Sequence, residues 1–182
     1  NVVRATAIAA VEFDWVTETA RHIGTVVHRE LQRFAREGGV WPGSEAERVA
    51  VQRRYAAELA ELGVPYERRS AAVAKALEAV RRTLEDERGR WLLDASLRSA
   101  QSELALTGVV DGNLVSVVID RTFIDAKGVR WIVDYKTSSH EGAGLDDFLD
   151  NERERYRAQL ERYAQLMQAL GDDPIRLGLY FP

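Results

Sequence analysis

The sequence predicts an α/β (α+β) fold, a central mixed sheet that contains an antiparallel meander and is flanked by helices. Two observations point to it. From about residue 100 the apolar pattern takes the period of strands. Three extended runs, 102–110, 114–125 and 129–137, are joined by Asp111-Gly112-Asn113 and Ala126-Lys127-Gly128, turns short enough to require antiparallel neighbours. On both sides of this stretch the pattern becomes helical, over about 17–93 and 145–170.

Taken in order, residues 1–15 show apolar residues without a clear period and read as irregular. Thr17 can cap a helix that stops at Gly38-Gly39, with Ile23, Val27, Leu31 and Phe34 as its buried stripe. Trp41-Pro42-Gly43 is a turn. Ser44 opens a second helix with Glu47 in capping-box position, and Gly63 and Pro65 end it near residue 62. A third helix is expected over 70–87, with Val73, Leu77, Val80 and Leu84 on one face, followed by a docking segment at Trp91, Leu92 and Leu93. Residues 44–88 read as a helical subdomain inserted between the first helix and the sheet. After the meander, a loop over 138–144 leads into a long helix, with an interruption expected near Asn151. Tyr156, Leu160, Tyr163, Met167 and Leu170 form its stripe, and a last strand follows over 175–181.

The length of 182 residues suits one domain, 1–182, with a helical part over about 17–93 and the sheet and long helix over about 100–181. The chain begins with Asn1 and ends in a strand-like run, so a domain excised from a larger protein is expected. Hydrophobic residues make up 46% and charged residues 30%, and no apolar run approaches the roughly 20 residues that cross a bilayer. Cysteine is absent, which excludes disulfides, thiolate catalysis, cysteine zinc sites and iron–sulfur clusters. The net charge of −4 does not by itself advertise nucleic acid.

The chemistry concentrates in VRWIVDYKTS, residues 129–138. Alternation along a strand puts Asp134 and Lys136 on one face and Tyr135 on the other. A carboxylate and an ammonium at the end of an apolar run are costly to bury unless they pair or bind something. A strand-end ion pair satisfies that condition. The preceding strand, however, brings a second acid, Asp120, after its own apolar approach. Two adjacent acids with a lysine one pleat on suit a divalent cation and phosphodiester hydrolysis. Only Lys75, Lys127 and Lys136 are lysines among many arginines, so the compact charge at position 136 stands out. Glu103 alone reads as an exposed edge acid, and His28 alone as a core or surface residue. His22 reads as structural and His140 as solvent-exposed. Gln159 and Tyr163 share one side of the long helix, where a tyrosine stripe is ordinarily core.

In this order the motifs GTVVH (His28), SELAL (Glu103), VVIDR (Asp120), IVDYKTS (Asp134, Lys136) and YRAQLERYAQLM (Gln159, Tyr163) resemble the RecB-like branch of the PD-(D/E)XK nuclease superfamily. The similarity is to the C-terminal nuclease domain of AddA/RecB-type helicase–nucleases. It covers about 11–113 loosely and 114–180 well. The proline of the superfamily's name is replaced by Ile119, and the glycine often found just before it by Val117 or Val118.

The resemblance implies a restriction-endonuclease-like fold and a metal-dependent DNA nuclease. Asp120, Asp134, Lys136 and Glu103 would be catalytic. His28, Asp120, Asp134 and the Tyr135 backbone carbonyl would hold Mg²⁺, with Mn²⁺ as a possible substitute, and Gln159 and Tyr163 would contact DNA. It further implies work on DNA double-strand-break ends in recombinational repair. The partners would be helicase domains of the same parent chain and an AddB-like subunit, in the cytoplasm and away from membranes. The alternative is a degenerate nuclease-like module serving as a DNA-end scaffold or subunit interface. Intact His28, Asp120, Asp134 and Lys136 argue against it.

Overall fold

The computed structural model describes residues 2–38, 41–136 and 144–182, with side chains from residue 18 onward. His140 and most of the loop expected over 138–144 lie outside the described residues. Among the described residues, five helices and four strands follow in the order α1 (Val2–Glu37), α2 (Glu45–Glu61), α3 (Tyr66–Glu85), α4 (Glu87–Leu93), β1 (Arg98–Val110), β2 (Asn113–Ile124), β3 (Arg130–Tyr135), α5 (Leu145–Gln168) and β4 (Ile175–Tyr180). The sheet runs β1-β2-β3-β4, antiparallel through the meander and parallel between β3 and β4. The expected mixed α/β sheet is therefore present, and α5 is the crossover that lets β4 lie parallel to β3.

Several boundaries differ from the sequence reading. The first helix begins at Val2, so Thr17 lies inside it rather than capping it. The stretch before Thr17 lacks an amphipathic period but contains good helix formers and no proline or glycine, and nothing in it interrupts a helix. The third helix starts at Tyr66 because Pro65 occupies its N-cap, where a missing N–H costs nothing. The docking segment around Trp91 is the helix α4. Its cap is Asp86, whose side chain accepts a hydrogen bond from the Gly89 amide. The first strand starts four residues early, at Arg98, and α5 is continuous through Asn151. Leu170 lies past the helix and is exposed. The capping box of Ser44 and Glu47 forms as expected.

Two cores lie on opposite faces of the sheet. On one, Val27, Leu31 and Phe34 of α1 join Tyr55, Leu59, Val73 and Val80 against Phe123, Val133 and Tyr135. On the other, Leu160, Tyr163 and Met167 of α5 cover Ile119 and Ile132. Gly108 of β1 lies close under α5: an added Cβ would stand 2.7 Å from the Leu166 side chain, which would have to shift.

Buried charge joins the elements. Glu30, only 3% exposed, takes a two-pronged guanidinium from Arg54 of α2 at 2.7 and 2.8 Å and a further bond from Arg33 at 2.6 Å. Burial would raise the Glu30 pKa, but the bonds from Arg54 and Arg33 outweigh it and hold the carboxyl below its ordinary value. Arg121 of β2 is 2% exposed, and its hydrogen bonds among the described residues go to no carboxylate. Its guanidinium donates to the carbonyls of Leu92 at 2.9 Å and Asp94 at 3.1 Å, at the C-terminus of α4, and to Ser102 Oγ at 3.2 Å. The negative end of the α4 dipole supports the cation there, although burial draws its pKa down.

Replacing Arg121 strands the Leu92 and Asp94 carbonyls in the interior. Arg121→Ala is expected to lower the unfolding free energy by roughly 3 kcal/mol in urea titrations. A loss below about 1 kcal/mol would show that the guanidinium network contributes little.

Candidate metal and active site

The site forms where β2 and β3 part. The last ladder pair is Arg121 with Val133. Beyond it, the Tyr135 amide donates to Asp120 Oδ2 at 2.7 Å instead of to a strand, and the Tyr135 carbonyl accepts from His28 Nε2 at 3.0 Å. On its other side β3 stays paired, with the Lys136 amide on the Tyr180 carbonyl at 2.8 Å. Side chains thus take over the backbone bonding that the diverging β2 no longer supplies.

The backbone of β1 is irregular at the same level. Glu103 lies between the pairs Ser102–Arg121 and Leu104–Ile119, opposite Asp120, and holds φ at 52°. A left-handed backbone is rare for a residue with a Cβ and marks strain. Ser102 and Leu104 have the same parity, yet Ser102 bonds Arg121 on the α4 side while Leu104 packs with the α5 core. The hairpin therefore turns its faces over at Glu103 and Asp120, and the two acids stand at the turn.

His28 reaches this point from α1. The Nδ1 atom lies 3.7 Å from Asp120 Oδ2, and the ring meets the Tyr135 ring edge-on at 5.7 Å between centroids. With Nε2–H donating to the carbonyl, the Nδ1 lone pair faces the acids. Ligand atoms of His28, Glu103 and Asp120 all lie within 4.8 Å of one another. Donors bonded at about 2.0–2.4 Å to one ion stand up to about 4.8 Å apart, so the spacing fits a divalent cation.

Asp134 stands outside that tight trio. It is 3% exposed, its Oδ2 contacts Lys136 Nζ at 2.5 Å, and its Oδ1 accepts from Gln159 Nε2 at 3.1 Å. The same amide lies 2.5 Å from the Tyr163 hydroxyl. Gln159 and Tyr163, expected at a DNA strand, thus make their described contacts with Asp134 and with each other. All eight residues singled out from the sequence, His28, Glu103, Asp120, Asp134, Tyr135, Lys136, Gln159 and Tyr163, come together at this fork. Sequence reasoning missed the left-handed turn at Glu103 and the contact of Lys136 with the Tyr156 ring, whose centroid is 3.8 Å from Nζ. The first left no sequence signal. The second could have been read from Tyr156 standing three residues before Gln159 on the same helix side.

Burial pushes the Asp120 carboxyl up from 3.8 to about 6, and the nearby Asp134 charge adds to this against the opposing pull of His28. With a folded pKa above the unfolded one, the native chain holds a proton between about pH 4 and pH 6 that the unfolded chain releases, so this group's share of stability falls as pH rises through that window. Asp120→Asn removes the fall. In EDTA the variant is expected to gain on the wild type from pH 4 to 6.5, by on the order of 2–3 kcal/mol, in paired urea titrations. A difference that stays flat across the window would contradict the raised pKa.

Among the described residues, no helix is long and apolar enough to cross a membrane. No curated protein matches the chain. The pattern of the PD-(D/E)XK nuclease superfamily matches residues 8–182, a span that takes in α5 and β4 as well as the acids and lysine of the fork. The chain belongs to the PD-(D/E)XK nuclease superfamily.

Proposed function

We propose that the chain is a Mg²⁺-dependent deoxyribonuclease of the RecB-like branch, hydrolysing phosphodiester bonds at the fork between β2 and β3. The observation that supports it best is the Lys136 ammonium 2.5 Å from Asp134, set beside the close group of His28, Glu103 and Asp120. A scaffold has no use for an ammonium held next to clustered acids.

Asp120, Asp134 and the Tyr135 carbonyl offer the oxygen donors that Mg²⁺ prefers, and the His28 nitrogen makes Mn²⁺ an acceptable substitute. Glu103 faces the same group. When bound, the ion would lower the pKa of a water and offset charge on the scissile phosphate. Lys136 orients the attacking water and places its positive charge where negative charge develops in the transition state. Gln159 donates to Asp134 Oδ1 and fixes that carboxylate, and Tyr163 supports Gln159. A DNA strand passing α5 would meet the same two side chains. The motif order supports a module that processes double-strand-break ends in the cytoplasm, beside a helicase motor in the same parent chain and an AddB-like partner.

Labelled single-stranded and duplex DNA should be cut with Mg²⁺ and left intact in EDTA. Asp134→Ala and Lys136→Ala should each lower the rate by about 10²–10³-fold with unchanged circular dichroism. Calorimetry should show weaker metal binding in Asp134→Ala but not in Lys136→Ala, since a lysine ammonium is no ligand. Cleavage undiminished in excess EDTA, or wild-type rates in either variant, would overturn the reading. A folded, metal-binding and inert chain would favour a scaffold.

A further inference from the structure

We propose that Tyr156 is the positioning residue for Lys136, holding the ammonium at the fork by the face of its ring. The proposal rests on the nuclease reading for its catalytic consequence, but the contact itself is independent of that reading. Nζ lies 3.8 Å from the Tyr156 ring centroid. Among the described residues, the only acid in contact with it is Asp134, and that contact lacks hydrogen-bond geometry, since Asp134 Oδ2 is buried without a hydrogen-bond partner. The ion pair therefore attracts the ammonium without setting its direction. Lysine is a point charge on a flexible four-carbon stem, and a second contact is needed to hold it in one place. The negative face of an aromatic ring supplies one, and it neither takes the proton nor competes for a metal.

The demand for such a contact grows when the site works. A cation bound to Asp134 would weaken the attraction of the carboxylate for Lys136, and like charge would drive the ammonium outward. The ring keeps its attraction under those conditions. The frame is built for it. Tyr156, Gln159 and Tyr163 lie on one side of α5, so a single helix holds both members of the pair, Asp134 by the Gln159 amide and Lys136 by the Tyr156 ring. Leu160 and Tyr163, each 6% exposed, anchor that helix to the sheet. Tyr156 itself is only partly buried and belongs to neither core cluster, so packing does not account for it. Arg155 also approaches the ring, at 5.3 Å, but its guanidinium is exposed and bound to Glu152 at 3.3 Å.

The chain has three lysines, so lysine-selective ¹³C labelling resolves the ε-methylene signals of Lys75, Lys127 and Lys136. In the metal-free wild type, the Lys136 signal should lie upfield of the other two through the ring current of Tyr156. Tyr156→Phe should keep that shift, because the ring and not the hydroxyl provides it, and Tyr156→Leu should abolish it. In cleavage assays at saturating Mg²⁺, Tyr156→Phe should retain kcat, whereas Tyr156→Leu should lose about tenfold in kcat with KM for DNA little changed. An unshifted Lys136 signal in the wild type overturns the proposal whether or not the chain cuts DNA. So does a Tyr156→Leu variant with wild-type kcat, or one that raises KM alone, the mark of a DNA contact. Should Tyr156→Leu fail to fold, the wild-type and Tyr156→Phe spectra still decide the contact. An inert wild type with a shifted Lys136 signal leaves the contact standing and refutes the nuclease reading instead.

Discussion

The peptide groups of Tyr135 set the terms for everything around them. Two residues past the last β2–β3 pair, they face a strand that has turned away, and polar backbone buried without partners is expensive. Asp120 and His28 provide the partners, one from β2 and one from α1, across a sequence separation of 107 residues for the histidine. An acid and an imidazole are thereby brought together for a structural reason before any cation is considered. The residues that close the sheet are the residues that could open a reaction.

The arrangement also explains why the acids are poorly solvated. Asp120 is fixed by the Tyr135 amide and cannot swing to solvent, and the neighbouring Asp134 is held by Gln159. Two carboxylates in one partly buried fork repel each other and lose hydration. Both penalties are relieved by positive charge, and Lys136 supplies the only one in contact with Asp134 among the described residues. Strain at Glu103 belongs to the same pattern, in which local energy is given up where the chain must present charge.

Much of the fold was legible because it is local. The hairpin turn at Asp111-Gly112, the Ser44 cap and the middle of the α5 stripe (Leu160, Tyr163 and Met167) announce themselves within a few residues, and these are present. Asp134 and Lys136 were legible from strand alternation alone. His28 was not. Its spacing on α1 says nothing of a partner in the meander, and only the order of motifs suggested one. Arg121 and Glu30 escaped altogether, since an arginine or glutamate inside a strand or helix reads as surface unless its distant partners are known. The acceptors of Arg121 are backbone carbonyls, which carry no sequence signature at all. The start of α1 carries no amphipathic period, and residues with high helical propensity need none to continue a helix.

The carbonyls that hold Arg121 bear on how far the helical portion can be regarded as detachable. By position in the chain, residues 44–93 look like an insertion that could be trimmed to leave a minimal sheet with its long helix. Yet α4 provides two of the three acceptors for a guanidinium that is otherwise sealed inside β2. Excising the helices would leave that cation buried with a single hydroxyl, next in sequence to the acid at the fork. Modularity in this chain ends at α4, and any shortened version has to keep that helix or replace Arg121 with it.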